Sequence, residues 1–203
     1  MSVETLVVGL LQTNCYLVWD IKTKKTLIID PGDDADLILN RLKDLNLKPH
    51  LLIATHGHFD HVLAITELKL ALHIPFLMHQ KDLFLINRAA ESGQYFTKVL
   101  SEPVLPPDGF LKDKQIIKLG NIKFEVIHTP GHTPGGISLY SPGFLFSGDV
   151  IFKDGLGRTD LGYASSIQLQ KSIDKLLQLS PKTRIYPGHG PSLLISDISG
   201  KIV

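Results

Sequence analysis

The sequence predicts an α/β chain in which helices pack over mixed β-sheets. Two observations carry that expectation: strands and helices interleave without a regular βαβ cycle, and many of the strands are hairpin-linked. "TLVVGL", "NCYLVWD" and "KTLIID" are rich in Val, Ile, Leu and aromatics and are separated by Asn14, Asp20 and Lys22–Lys25, so they predict an antiparallel meander. "DPGDD" (30–34) is a turn with an acidic helix start. After it Ala35, Leu37, Ile38, Leu42 and Leu45 recur at helical spacing to residue 46. "HLLIAT" predicts a buried strand, 62–72 a helix with leucines on one face, "IPFLMH" a strand and 80–92 a second helix. "SEPVLPPDGFL" predicts a Pro-rich loop of the kind that borders active sites. Residues 115–127 predict two strands about Gly120-Asn121, and "ISLYS" and "GFLFSG" two more about Pro142-Gly143. A helix over 165–179, capped by Ser165 or Ser166, and a last strand "TRIYPG" complete the series.

A chain of 203 residues fits one domain over 1–203 with a core that needs no staples. With 43% hydrophobic and 20% charged residues and a net charge of +1, nothing draws it to nucleic acid or to a membrane surface. No apolar run reaches the ~18 residues of a membrane span. The single Cys15 excludes an internal disulfide and reads as a small buried apolar residue. "MSVETLVVGLLQTN" lacks the basic start of a signal peptide, so the expected location is cytoplasmic.

The chemistry gathers in four places. His56, His58, Asp60 and His61 follow the strand 51–55; His132 follows the strand 122–128 through Thr-Pro-Gly; Asp149 follows "FLFSG"; His189 follows "IYPG". If these strands run side by side, their loops converge on one sheet edge. His56 and His58, two apart in an extended segment, point the same way. Asp60 and His61, at the turn into the next helix, can face a second centre, while Phe59 turns inward. Imidazole and carboxylate suit zinc, iron or manganese. Five His and two Asp exceed the needs of one tetrahedral ion, and Asp149 could bridge two ions about 3.5–4 Å apart. His50, His73 and His79 stand alone and read as structural, as does His128, which is placed to hold its loop. Asp30 of "DPG" is either a turn former or a partner behind the ligands, and the second reading is slightly favoured.

Together "THGHFDH" (55–61), "TPGHTPGG" (129–136), "SGD" (147–149) and "PGHG" (187–190) resemble the metallo-β-lactamase superfamily, in order over nearly the whole chain. The resemblance implies an αββα sandwich of two mixed β-sheets flanked by helices, with a dinuclear site at one edge. It implies that His56, His58 and His132 bind one metal, that Asp60, His61 and His189 bind the other, and that Asp149 bridges them. "QTNCYLVWD" and "GLGRTDLG" (155–162) look most like the glyoxalase II group, which hydrolyses thioesters such as S-hydroxyacylglutathione. The implied cofactors are two divalent ions, zinc first, with iron or manganese as alternatives. The implied reaction is attack of a metal-bridging hydroxide on a small-molecule thioester, with Asp60 as the catalytic ligand that orients it. Arg158 and Lys153, after Asp149, are candidate anchors for a substrate carboxylate, with Tyr163 beside them. The sequence departs from typical glyoxalase II enzymes after His189, where "PSLLISDISGKIV" does not resemble their helical glutathione-holding domain. "GRTD" also recurs in the persulfide dioxygenases, so a mononuclear-iron dioxygenase is the alternative, followed by a lactonase-type hydrolase.

Overall fold

A computed structural model describes residues 1–198. The first sheet is formed by β1 (Ser2–Val8), β2 (Thr13–Trp19), β3 (Lys25–Ile29), β4 (Lys48–Ile53), β5 (Phe76–His79) and β6 (Gly109–Leu111), hydrogen-bonded in that order. Its first three strands form the expected antiparallel meander and the rest pair in parallel. The second sheet begins with β7 (Ile116–Leu119), β8 (Ile122–His128), β9 (Ile137–Ser141) and β10 (Phe144–Gly148). A two-stranded ribbon follows, β11 (Ile151–Phe152) and β12 (Gly155–Leu156), and then β13 (Arg184–Pro187) and β14 (Leu193–Leu194) complete the second sheet. Its order is β14-β13-β10-β9-β8-β7, antiparallel except between β10 and β13.

Three layers of apolar contact explain why this order folds. Tyr16, Val18, Leu27, Ile29 and Ile53 face Phe124, Val126, Leu139 and Phe146 across the two sheets. The alternate residues of the first sheet, Leu17, Ile28 and Leu52, face the other way. There they meet Ile38 and Leu42 of α1 (Ala35–Asp44) and Ile65 and Leu68 of α2 (Ile65–Leu72). Ile86 of α3 (Leu83–Ile86) and Ala89 of α4 (Ala89–Thr97) join the same layer. Behind the second sheet, Ile127, Leu145 and Ile185 pack on Leu169, Ile173 and Leu176 of α5 (Ser166–Leu176), which the Ser165 side chain caps. Strands covered on both faces need apolar residues at successive positions, which is why β2 and β3 read as continuous apolar runs. The result is an αββα sandwich.

Local expectations shift in three places. The helix expected over 80–92 is a 3-10 turn and two helices, broken at Asn87-Arg88 and continuing to Thr97. Gly93 sits inside α4 at a propensity cost of about 1 kcal/mol, where a Cβ would press on the end of the Leu63 side chain at 3.2 Å. The end of the Pro-rich loop becomes β6, because Leu77, Met78 and His79 offer it partners on the side of β5 away from β4. The strand "TRIYPG" is followed by β14, which covers its edge. The longest helix, α5, has 11 residues, and no helix among the described residues is long and apolar enough to cross a membrane.

Candidate metal centre

The four ligand-bearing loops do not leave one sheet. The segment 54–61 follows β4 of the first sheet, while His132, Asp149 and His189 follow β8, β10 and β13 of the second. Convergence therefore occurs at one end of the sandwich, where the two sheets meet across the inner core. A bridge between Thr13 and His189 and a hydrogen bond from Asn14 N–H to Gly188 O at 2.7 Å tie the sheets together there. Asn14 Nδ2 also donates to Pro187 O at 3.0 Å and Gly190 O at 2.7 Å, fixing the turn that carries His189. Gly188 in that turn leaves space nothing else can fill: a Cβ would lie 2.0 Å from Asp149 Oδ1 and 2.7 Å from His61 Cε1.

All seven candidate ligands come together. His58 Nδ1 lies 3.0 Å from His56 Nε2 and 2.9 Å from His132 Nε2. Asp60 Oδ2 lies 3.5 Å from His61 Nε2 and 3.2 Å from His189 Nε2. Between these triads stands Asp149, with Oδ1 3.6 Å from His61 Nε2 and Oδ2 3.6 Å from His132 Nε2 and 3.7 Å from His189 Nε2. Each triad offers three ligand atoms within 4.8 Å of one another, so each could hold a metal ion. His61 Nε2 and Asp149 Oδ1 are buried without a hydrogen-bond partner. Buried polar atoms are rarely left so, and a cation between them would satisfy both. Phe59 turns into the core as expected.

The far nitrogens of His56, His58, His132 and His189 have hydrogen-bond partners as well. His132 Nδ1 lies 2.9 Å from Arg158 O, and His189 Nδ1 lies 3.1 Å from Leu11 O. A carbonyl only accepts, so each Nδ1 carries its proton and each Nε2 keeps a lone pair for the centre. His58 Nε2 meets Tyr163 Oη at 2.8 Å, and His56 Nδ1 meets Thr55 Oγ1 at 3.2 Å. Asp30 stands behind His61, with Oδ2 3.1 Å from Nδ1, and accepts Thr55 N–H at 2.6 Å and Thr55 Oγ1–H at 2.7 Å.

Electrostatics separates the triads. Burial, followed by the neighbouring imidazoles, holds His56 well below the ordinary histidine range and His58 at about 3, so both are neutral donors of electron pairs. Burial also works against a charged His61, but Asp60, Asp149 and Asp30 outweigh it and hold that imidazole up to about 10. Burial opposes ionisation of Asp60 too, and His61 and His189 overcome it, keeping the carboxyl below its usual range. A cation entering the second triad therefore replaces a proton on His61.

Two residues that motif spacing does not reveal organise the loops. Asp82, fully buried, accepts Gly57 N–H at 3.1 Å and Thr133 Oγ1–H at 2.7 Å on Oδ2, and Gly135 N–H at 2.5 Å on Oδ1. It thus clamps the loop of His56 and His58 to the loop of His132. Thr13 Oγ1–H donates to Asp60 Oδ2 at 3.1 Å. Asp82 stands in "HQKDL", with no sequence signal beyond a lone acid.

Of the expected substrate residues, Arg158 and Tyr163 line a cavity of about 290 Å³ in front of the ligands, whereas Lys153 is exposed outside it. The Arg158 guanidinium is already engaged by Asp160, at 2.7 and 2.6 Å. His128 holds its loop through Pro134 O at 3.0 Å, and His79 stacks on it at 4.4 Å between ring centroids. Cys15 is buried and its thiol is pushed up, first by burial, so it is not a nucleophile.

Comparison with known proteins agrees with this geometry. A family described as the metallo-β-lactamase superfamily matches residues 8–189. A hydroxyacylglutathione hydrolase, GloC, of Haemophilus influenzae is 38% identical over 194 residues, covering 94% of this chain and 91% of that protein. The BLEG-1 B3 metallo-β-lactamase superposes with a TM-score of 0.90 at 34% identity, covering 97% of this chain and 96% of the other. TTHA1623 in a di-iron-bound form gives a TM-score of 0.89 at 35% identity, covering 97% of both chains.

Proposed function

Because the chain belongs to the metallo-β-lactamase superfamily, a superfamily of metallo-hydrolases, we propose that it hydrolyses thioesters of the S-hydroxyacylglutathione type at a dinuclear centre. One observation carries the reading: both triads are assembled and Asp149 faces each of them. A hydrolase of the thioester type is also what its Haemophilus relative is named for.

His56, His58 and His132 would hold one cation, Asp60, His61 and His189 the other, and Asp149 both; the donor set of imidazole and carboxylate suits zinc, and also iron or manganese. Bound there, divalent cations supply a water that ionises near neutral pH and a Lewis acid for the carbonyl. The chain does the rest. Asp60 remains ionised at neutral pH, with one oxygen fixed by Thr13, and so can accept a hydrogen bond from the attacking water and orient it. Tyr163 and the Arg158 carbonyl hold His58 and His132 from behind, so the ligand atoms do not reorganise as charge develops. Water oxygen bonds to the carbonyl carbon, the C–S bond breaks, and the thiol leaves as a thiolate of intrinsic pKa about 8.5. A substrate carboxylate reaching Arg158 exchanges for Asp160, which lies at the exposed rim and gives up a pair of small worth.

Metal analysis paired with S-lactoylglutathione hydrolysis tests the proposal. Two ions per chain with thioester turnover are expected, and His58→Ala abolishes that turnover. One iron per chain with oxygen uptake on glutathione persulfide and no thioester hydrolysis overturns it in favour of the dioxygenase.

A further inference from the structure

A second cavity, larger than the one in front of the ligands, lies close to it. It is a groove of about 640 Å³, and both are lined by Leu11, Phe59 and Asp60, so they adjoin at a carboxylate of the second triad. The groove lies between the loop that joins β1 to β2, the turn before α1, one face of α2 and the segment after α4. Its apolar wall is supplied by Val8, Leu10, Leu63, Leu70, Val99 and Leu100. Leu10, Leu70 and Leu100 are 71%, 61% and 81% exposed, so three separate segments present uncovered leucines to one channel. Single exposed leucines are ordinary, but a set converging on a channel that reaches a reactive centre marks a binding surface.

Charge narrows the occupant. Asp33, Glu67 and Glu102 line the groove and no Lys, Arg or His does. None of the three pairs with a basic side chain among the described residues. The adjoining cavity in front of the ligands is the one that contains Arg158. An anionic thiol such as glutathione therefore belongs on the Arg158 side, and the groove falls to the other half of the substrate.

We propose that this groove is an acyl subsite for an uncharged or cationic aliphatic chain of medium length, held by Leu10, Leu70, Val99 and Leu100 and screened against anions by Asp33, Glu67 and Glu102. The proposal rests on the hydrolase reading for the position of the scissile carbonyl and goes beyond it in naming the acyl group. A hydroxyacyl group as short as lactoyl would leave the groove empty.

The test uses metal-loaded protein and neutral N-acetylcysteamine derivatives in which an amide replaces the thioester, so that binding is read without turnover. Each buried methylene contributes up to about fourfold in affinity. Calorimetry is expected to show the octanoyl amide binding at least about tenfold more tightly than the acetyl amide, a gain lost in Leu100→Glu and in Leu70→Glu. Both positions are exposed, and melting curves check that each variant folds. An 8-aminooctanoyl amide is expected to keep the gain, a 7-carboxyheptanoyl amide to lose it, and Glu67→Gln with Glu102→Gln to narrow that difference. Equal binding of acetyl and octanoyl amides, a gain that survives both Leu70→Glu and Leu100→Glu, or preference for the carboxylate overturns the proposal. Failure of the two readings is distinguishable. Chain-length gain without any thioester hydrolysis refutes the hydrolase and leaves the groove, whereas S-lactoylglutathione hydrolysis without chain-length gain does the reverse.

Discussion

Replacing Asp82 by Asn perturbs the clamp between the two loops that build the first triad. In the native protein its carboxylate takes three donors, Gly57 N–H and Thr133 Oγ1–H on one oxygen and Gly135 N–H on the other. The Asn oxygen keeps the first two, and the amide nitrogen then faces Gly135 N–H, donor against donor. Leaving a buried N–H unpaired costs about 1–3 kcal/mol, and weakening the other two from charged to neutral acceptors adds about 1 kcal/mol more. Part is returned, because burial raises the carboxyl pKa and Asn no longer holds a buried charge. The net loss is about 2 kcal/mol, which for a chain of this size lowers the melting temperature by about 4–8 °C. His132 directly precedes Thr133, which Asp82 holds, so cation affinity falls with stability, by about tenfold. Scanning calorimetry of the metal-free variant and chelator competition on the loaded one read the two effects. A melting point within about one degree of wild type together with unchanged cation affinity refutes the clamp.

Three further perturbations probe separate contacts. Gly188→Ala places a Cβ 2.0 Å from Asp149 Oδ1, and is expected to yield a folded protein that binds fewer ions per chain; full stoichiometry by elemental analysis contradicts the close approach. Tyr163→Phe removes the hydroxyl at His58 Nε2 and is expected to weaken cation retention about 10- to 100-fold in chelator competition, unchanged retention arguing for a purely substrate-side role. Burial and the stacked His128 depress His79 to about 4, so its proton favours the unfolded chain: the stabilisation is complete above pH 6.5 and is lost as pH falls towards 4. An NMR titration is expected to place the His79 midpoint near that value, and His128→Ala to raise it; a midpoint in the ordinary histidine range contradicts the stack.

The ligands were legible because each lies next to a local signal. "HGHFDH" packs four into one turn, and the two "PGH" turns and "SGD" each follow an apolar strand. The fold was legible at the level of layers, since the apolar runs of β2 and β3 require cover on both faces. What the sequence hides is long-range. That β4 belongs to one sheet and β8, β10 and β13 to the other depends on pairings across the whole chain, which no local spacing records. Asp82 is 25 residues from Gly57 and 53 from Gly135, and in sequence it is a lone acid after a strand. Arg158 was legible as a cation near the site, but its backbone carbonyl, which holds His132, has no residue-type signature at all.

The loop between β1 and β2 also holds a ligand through its backbone. His189 is oriented by the carbonyl of Leu11, not by its side chain, and the loop is set by a turn from Gln12 N–H to Gly9 O at 3.1 Å and by Asn14 N–H on Gly188 O at 2.7 Å. The path of the backbone, rather than the identity of residue 11, therefore carries the contact. Leu11→Ala removes apolar surface from both cavities and is expected to leave cation affinity within about twofold of wild type, because the carbonyl stays in place. Inserting one glycine after Leu11 keeps every side chain but displaces the carbonyl, and is expected to weaken retention of the second ion by about tenfold or more. Chelator competition on both variants decides the matter. If Leu11→Ala loses the ion while the insertion keeps it, His189 is held by packing and the carbonyl is incidental.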